Sequence, residues 1–319
     1  LADRVVGLKS FRGDCIVFCR NSIYKFVNME DKANAAIVPI TKNVGCVDGN
    51  SIQEIGGDLV FLSPDGVRTL AGTSRIGDVE LASVSRNVQR LISNIVDNIN
   101  VLTISSVVLR SKSQYRLYYN DPSVAAQFSR GIIGTFTGQG FEWSETLGIE
   151  AIAVDSGFLA NGLEAIVHGD TDGYVYNHDK GITFRHGGAA ANIDALYETP
   201  YLDFGDMGTR KTLQYAKISV TPDRESGGFS DPTLKVQYDF QDVNVQQPPI
   251  YQLPTIRAGS SFGTAFFNAA YFGSTDNPLI RQPIEGSCYT SNFKIASNDQ
   301  EASYTINGIY INYVPAGRR

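Results

Sequence analysis

Short runs of alternating apolar and polar residues, broken by Gly, Asp, Asn and Pro, fill most of the chain, and three of them repeat one plan. In Gly162–Asn177 a strand carries Ala165 to His168. A turn follows at Gly169-Asp170-Thr171-Asp172-Gly173, and Tyr174, Val175 and Tyr176 form the return strand. Gly57–Leu70 sets Leu59–Leu62 against Val67–Leu70 across Ser63-Pro64-Asp65-Gly66, with Pro and Gly at the positions a type I turn favours. Phe11–Phe26 is built the same way, with Asn21-Ser22 in its turn. Side chains alternate across a strand, so each run predicts a hairpin with one face turned to a core. Hairpins recurring at roughly blade-sized intervals of 40–50 residues predict small sheets repeated around an axis, a β-propeller. About four such units fit before residue 185, and a closed propeller takes about four to eight. The remaining blades are expected upstream of Leu1 or from another part of the chain.

Further strands are predicted at Ala36–Pro39, Ser51–Ile55, Val101–Arg110, Ser113–Asn120, Gly131–Phe136, Phe141–Ser144 and Ile149–Val154. Within Ser113–Asn120, Tyr115, Leu117 and Tyr119 point one way, and Arg116 and Tyr118 the other. One segment breaks the pattern. Leu81, Val84, Val88, Leu91, Ile92 and Ile95 recur every three or four residues, which predicts a short helix near 84–98, capped by Asp78 or Ser83. Its polar face carries Arg86, Arg90 and Asn94. With no partner helix across a tight turn, it reads as packed on the propeller edge rather than as a DNA-recognition helix.

The character changes after His186–Asn192. Residues 1–190 are assigned to propeller blades and 191–319 to an antiparallel β-sandwich or platform domain, with a loop-rich insertion around 241–285. Leu213–Val220 alternates Tyr215, Lys217 and Ser219 against Gln214, Ala216, Ile218 and Val220. Leu234, Val236, Tyr238 and Phe240 share one face of a second strand, and Ile250–Ile256 is extended. The last strand, Ala302–Val314, carries Tyr304, Ile306, Ile309, Ile311 and Tyr313 around Asn307-Gly308, which reads as a bulge or a hairpin turn. The fold class is therefore all-β, an incomplete propeller joined to a sandwich.

Composition supports strands and tight turns: 17 Phe, 16 Tyr and 31 Gly among 319 residues. A formal net charge of -6 excludes condensation onto DNA by phosphate neutralisation, but suits a passage that DNA slides through without sticking. No apolar stretch is long enough to span a bilayer, so stable membrane insertion is not expected. The chain opens on Leu1 and is expected to be a processed or partial product. Cys15 and Cys19 lie four apart on one strand face, roughly 13 Å between Cα atoms and too far to bridge. With Cys46 and Cys288 they read as buried reduced thiols.

Candidate chemistry is sparse, and no catalytic, cofactor or metal residue is assigned. His168 and His178 with Asp170, Asp172 and Asp179 form the densest polar cluster. Asp170-Thr171-Asp172-Gly173 resembles part of a calcium loop without its remaining ligands, so a turn in which carboxylates accept backbone amides is the simpler reading. A glycosidase needs two carboxyls across a sugar cleft, and Glu142, Glu145 and Glu150 beside Trp143, with Asp203 and Asp206, are the residues to weigh for that alternative. A host-surface-binding propeller is the third reading. Trp143 itself reads as core packing.

Four blocks taken together, Gly56–Arg68, His168–Tyr176, Tyr197–Thr212 and Gly308–Arg319, resemble the tail nozzle or tail-hub proteins of short-tailed bacteriophages (podoviruses). The resemblance covers roughly residues 10–240 and the last dozen, and Tyr197–Thr212 is its most specific part. It implies a non-enzymatic virion tail protein without cofactor, forming a six-fold ring of copies of itself around the channel for DNA ejection. The implied partners are adaptor or portal-side proteins, tail fibre or tip proteins, and viral DNA in transient, non-specific passage. Inter-subunit or domain-junction contacts are expected at Leu202, Asp203, Phe204, Gly205, Asp206, Gly208, Arg210 and Lys211. Arg318 and Arg319 are expected to join Arg210 and Lys211 in small basic patches.

Overall fold

The computed structural model describes residues 3–71, 84–138, 140–222, 230–255 and 279–318. They form antiparallel sheets and one short α-helix, and the chain divides into two compact units, the first ending at Lys180 apart from His186–Gly188.

The first unit contains four sheets in chain order. Sheet one is a meander of β1 (Val5–Phe11), β2 (Asp14–Cys19), β3 (Ile23–Val27) and β4 (Ala36–Thr41). Sheet two holds β5 (Gln53–Ile55), β6 (Asp58–Ser63) and β7 (Gly66–Thr69). Sheet three is a second four-stranded meander, β8 (Thr103–Leu109), β9 (Gln114–Asn120), β10 (Arg130–Thr137) and β11 (Gly140–Leu147). Sheet four holds β12 (Ala153–Phe158), β13 (Glu164–Gly169) and β14 (Val175–Asn177). All three hairpins expected from the repeated plan are present, with Leu62 opposite Val67, Phe18 opposite Ile23 and His168 opposite Tyr176.

Each core cluster of this unit lies between consecutive sheets. Ile16, Phe18 and Ile23 of sheet one pack on Leu59 and Phe61 of β6. The opposite face of β6, Val60 and Leu62, packs on Ile104, Val108, Tyr115 and Leu117 of sheet three. The far face of sheet three, Val107, Leu109 and Tyr118, packs on Ile166 of sheet four. Strands buried on both faces lose the polar half of their alternation, which is why β6 reads as a continuous apolar run from Leu59 to Leu62. Short polar bridges tie neighbouring sheets: Tyr115 Oη donates to the Ser51 carbonyl at 2.8 Å, and Ser156 Oγ to the Val108 carbonyl at 2.9 Å. Helix α1 (Gln89–Asp97), preceded by a 3-10 turn at Arg86–Val88, inserts Ile92 and Ile95 into the cluster between sheets two and three. It is shorter than the expected span, and the cap candidates Asp78 and Ser83 lie outside the described residues.

One expected strand is displaced. Ile149–Val154 does not form a ladder as a whole; β12 begins at Ala153. The Ala151 carbonyl is used instead by Ser105 Oγ (2.6 Å) and Asn120 Nδ2 (2.8 Å), which hold this segment as a buried connection onto sheet three. A two-stranded hairpin, β15 (Phe184–His186) and β16 (Ala189–Ala191), follows sheet four; the residue pattern did not predict it.

The second unit is a sandwich. One sheet runs β17 (Ile193–Glu198), β23 (Ser291–Asp299), β19 (Thr233–Tyr238), β20 (Ile250–Gln252) in spatial order. The other is centred on β18 (Thr209–Pro222), flanked on one side by β21 (Leu279–Pro283) and β22 (Ser287–Cys288), and on the other by the long β24 (Tyr304–Arg318). Leu213, Ala216, Ile218 and Val220 of β18 meet Leu234, Val236, Tyr238, Phe293 and Ile295 of the facing sheet in one core. Within the span expected as a loop-rich insertion, β20 and β21 are ladder strands, one in each sheet. Phe240 does not continue the β19 face. Asp239, Phe240 and Gln241 all have positive φ (46°, 58° and 63°), which turns the chain out of the sheet and leaves the Phe240 ring exposed against Tyr201.

Candidate functional site

The block expected to make contacts, Leu202 to Lys211, is a chain of tight turns tied into the sandwich. Leu202 and Ser291 exchange both backbone hydrogen bonds, at 2.8 and 3.0 Å. Asp203 accepts the Gly205 amide at 2.9 Å, and Asp206 accepts the Gly208 amide at 2.8 Å and the Thr209 hydroxyl at 2.5 Å. These are side-chain-capped turns, with the carboxylates standing in for backbone acceptors. Phe204 (φ 55°) and Gly205 (φ 85°) reverse the chain, and the Phe204 ring packs on Tyr313 with centroids 4.7 Å apart.

Lys211 corrects the expectation of a basic surface patch. Its side chain is 2% exposed, and its ammonium donates to the Asp206 and Tyr289 carbonyls, the latter at 3.0 Å. The segment that supplies Tyr289 is itself pinned: Asp239 Oδ1 accepts the Tyr289 and Thr290 amides, both at 2.8 Å. Lys211 therefore fastens the turn block to the sandwich and is closed to outside partners. Arg210 is exposed and reaches the Ser287 carbonyl at 3.4 Å. Arg318 lies opposite Thr209 at the end of β24, and Arg319 is outside the described residues. Met207 is an exposed apolar side chain within the turns.

In the first unit two of the histidines, His168 and His178, form a buried relay. His168 Nδ1 and His178 Nε2 are 2.6 Å apart, and His178 Nδ1 is 3.2 Å from the Tyr118 hydroxyl. Two ring nitrogens this close must share one proton, which fixes complementary tautomers along Tyr118, His178 and His168. Burial, then the neighbouring His168 and Arg116, depress the His178 imidazole to about 3; burial also lowers His168. Asp179 accepts Arg116 at 3.1 and 2.7 Å and Lys112 at 2.8 Å. Burial pushes its carboxyl up, but these charged donors outweigh it and hold the group well below the usual carboxylate range. The spacing of His168, His178 and Asp179 suggested a cluster. Arg116 and Tyr118 were readable as the second face of β9, but nothing in the sequence joined them to it.

The Asp170 turn is the expected kind. Asp170 Oδ1 accepts the Tyr174 amide at 2.8 Å, and Thr171 Oγ1 donates to Glu150 at 3.1 Å. Among the described residues no three His, Cys, Asp or Glu side chains converge as a metal set. Glu142 and Glu145, on either side of Trp143, do not face one another. β10 and β11 pair without interruption, so Glu142 and Glu145, three apart, lie on opposite faces of β11. Glu145 accepts Arg130 (2.8 Å) and Tyr119 (3.3 Å), while Trp143 stacks on Phe141 in the core and donates Nε1–H to the Val84 carbonyl at 2.7 Å. Cys46 and Cys288 are buried thiols pushed up to about 12 by burial. No protein-family model matches the chain, and no curated protein matches it.

Proposed function

We propose that this chain is a structural component of a short viral tail, a subunit of a nozzle or hub ring around the channel for DNA ejection. The observation that carries the reading is the sheet stack of the first unit: four antiparallel sheets in chain order, each packed on the next, as successive propeller blades are. The outer faces at both ends of the stack keep apolar side chains exposed, Leu8 and Ile37 on sheet one and Val167 and Val175 on sheet four. Further sheets would cover them and complete a propeller. The sandwich unit that follows, and the net charge of -6, suit a stiff ring lining a passage for DNA.

Its chemistry is passive. The carboxylates of the Leu202–Lys211 block serve as turn caps, and the buried histidines are bonded to one another and to Tyr118. Neighbour-facing contacts belong to the exposed parts of the block, Met207 and Arg210, rather than to Lys211. Native mass measurement and electron cryomicroscopy of the assembly that contains this chain test the proposal. Six copies around an axial channel are expected; a stable monomer under the same conditions would overturn it.

A further inference from the structure

Two arginines of the first unit stand side by side without a counter-ion. The Arg20 amide donates to the Arg4 carbonyl at 2.9 Å, which continues the ladder one step beyond Val5 opposite Cys19. Arg4 and Arg20 are therefore directly opposite each other, with their side chains on the same face of sheet one. Like charges placed opposite one another are destabilising. Among the described residues no carboxylate forms an ion pair with either guanidinium. The acidic side chains of this region are committed elsewhere. Asp3 accepts the Arg4 and Asn21 amides at 2.8 and 2.6 Å and the Ser22 hydroxyl at 3.0 Å. Asp48 accepts the Asn50 amide at 2.8 Å and caps the 3-10 turn Gly49–Ser51.

Both arginines line a cavity of about 540 Å³, together with the turn from Val47 to Asn50 and with Ile99 and Asn100, which follow α1. Its frame is fixed by backbone bonds. The Cys46 amide donates to the Cys19 carbonyl at 2.9 Å, the Val47 amide to the Leu62 carbonyl at 2.8 Å, and Arg20 Nη1 to the Val47 carbonyl at 3.0 Å. Gly49 lies against β1: a Cβ there would meet the Val6 carbonyl oxygen at 2.6 Å, so the approach requires glycine. The polar side chains around this frame are uncommitted. The Arg4 guanidinium and the side-chain amides of Asn50 and Asn100 have no hydrogen-bond partner among the described residues, and Arg20 spends only Nη1. Two guanidinium groups against the single carboxylate of Asp48 leave the lining net positive.

We propose that this cavity binds a phosphate monoester carried by a nucleoside-sized group. The phosphate lies between Arg4 and Arg20, whose forked N–H donors match its oxygens and whose mutual repulsion it cancels. The organic part lies against Val5 and Ile99 and bonds to the amides of Asn50 and Asn100. The volume falls within the range of roughly 300–1,000 Å³ in which small-molecule sites occur, and convergent polar groups on a fixed frame are their mark. A free nucleotide and the 5′-phosphorylated end of a DNA strand present the same chemistry. The proposal is independent of the ring reading, because it needs only these four segments of the first unit.

The test is calorimetric titration of the full chain, in a buffer free of phosphate, with thymidine 5′-monophosphate, thymidine and inorganic phosphate. Saturable binding of the monophosphate is expected, with thymidine and inorganic phosphate each at least tenfold weaker. Arg4→Gln, on an exposed side chain with no bonded partner, should weaken the monophosphate tenfold or more. Without ligand this variant should melt no earlier than the parent, since it removes the like-charge pair. Absence of saturable binding, equal binding of thymidine, equal binding of inorganic phosphate, or an Arg4→Gln chain that binds as the parent does would each overturn the proposal. The comparison of the three ligands on the parent keeps the test decisive if the variant does not fold. A 5′-phosphorylated octathymidylate separates the sources: binding tighter than the monophosphate supports the site as one for strand ends, and weaker binding supports it as one for the free nucleotide.

Discussion

Lowering the pH from 7.5 to 4.5 is expected to destabilise the first unit through the His168–His178 pair. The folded His178 imidazole sits at about 3, against 6.5 for the free side chain. Between those values the unfolded chain binds a proton that the folded unit refuses, so stability is complete above pH 6.5 and falls as the pH drops. The slope is about 1.4 kcal/mol per pH unit for one such group. From pH 6.5 to 4.5, His178 alone accounts for about 3 kcal/mol, a large share of an ordinary domain's stability. His168 shifts in the same direction and adds to it. Asp179 acts in another window. Its folded carboxyl is depressed, so its contribution is present above the unfolded value of 3.8 and is lost only below it. Asp65 and Glu164 are lowered as well and also titrate beneath the histidine window. The assay is urea unfolding at four pH values, followed by Trp143, the only tryptophan and a residue of the first unit. His178→Gln keeps a polar group beside Tyr118 but cannot titrate; it should be less stable at pH 7.5 and much flatter towards pH 4.5. A parent curve that is flat from 6.5 to 4.5, or one whose slope survives in His178→Gln, would refute the reasoning.

Two substitutions probe the packing. Lys211→Met keeps the apolar stem but takes the charged donor away from the Asp206 and Tyr289 carbonyls, and should cost the second unit about 2 kcal/mol in chemical denaturation, whereas Arg210→Met, on the exposed neighbour, should stay within about 0.5 kcal/mol. Phe61→Ala empties a fully buried site where the ring meets Phe18 at 5.1 Å between centroids; a loss of about 3–5 kcal/mol is expected in the Trp143-reported transition.

The hairpins of the first unit were legible because local chemistry determines them: Pro64-Asp65-Gly66 turns the chain whatever surrounds it, and Gly169–Gly173 does the same. The two faces of β9 could likewise be separated, since Tyr115 and Leu117 point to one core and Tyr118 to the next. What failed depended on distant partners. Ile149–Val154 has strand composition, but the Ala151 carbonyl is claimed by Ser105 and Asn120, over 30 residues away in sequence. Lys211 reads as surface by residue type, and only the turn that brings Asp206 and Tyr289 to its ammonium makes burial affordable. The place of β17 at the end of its sheet left no trace either, because strand order in a sandwich is set by long-range pairing.

The β18–β24 ribbon shows that a break in alternation can itself be read. On β18 the buried positions run Lys211, Leu213, then Ala216, Ile218, Val220; the step of three falls where Gln214 is an extra residue opposite Tyr313 and Asn312. On β24 the core-facing residues run Tyr304, Ile306, then Ile309, Ile311, Tyr313, and the step of three contains Asn307, extra between Gly308 and Ile306 as they pair with Ser219 and Val220. Each bulge resets which face is inward, so Asn307-Gly308 is a bulge and not a hairpin turn. Deleting Asn307 would therefore restore strict alternation and leave all five core-facing residues inward. The loss is confined to its side-chain bonds to Thr221 (2.8 Å) and Ser219 (3.4 Å), about 1 kcal/mol. Deleting Tyr310 instead would flip Ile311 and Tyr313 to the solvent face and should prevent the sandwich from folding. Hydrogen exchange of the β18 amides separates the outcomes. Protection kept in the first deletion and lost in the second is expected; equal protection in both would show that the register is not held by these bulges.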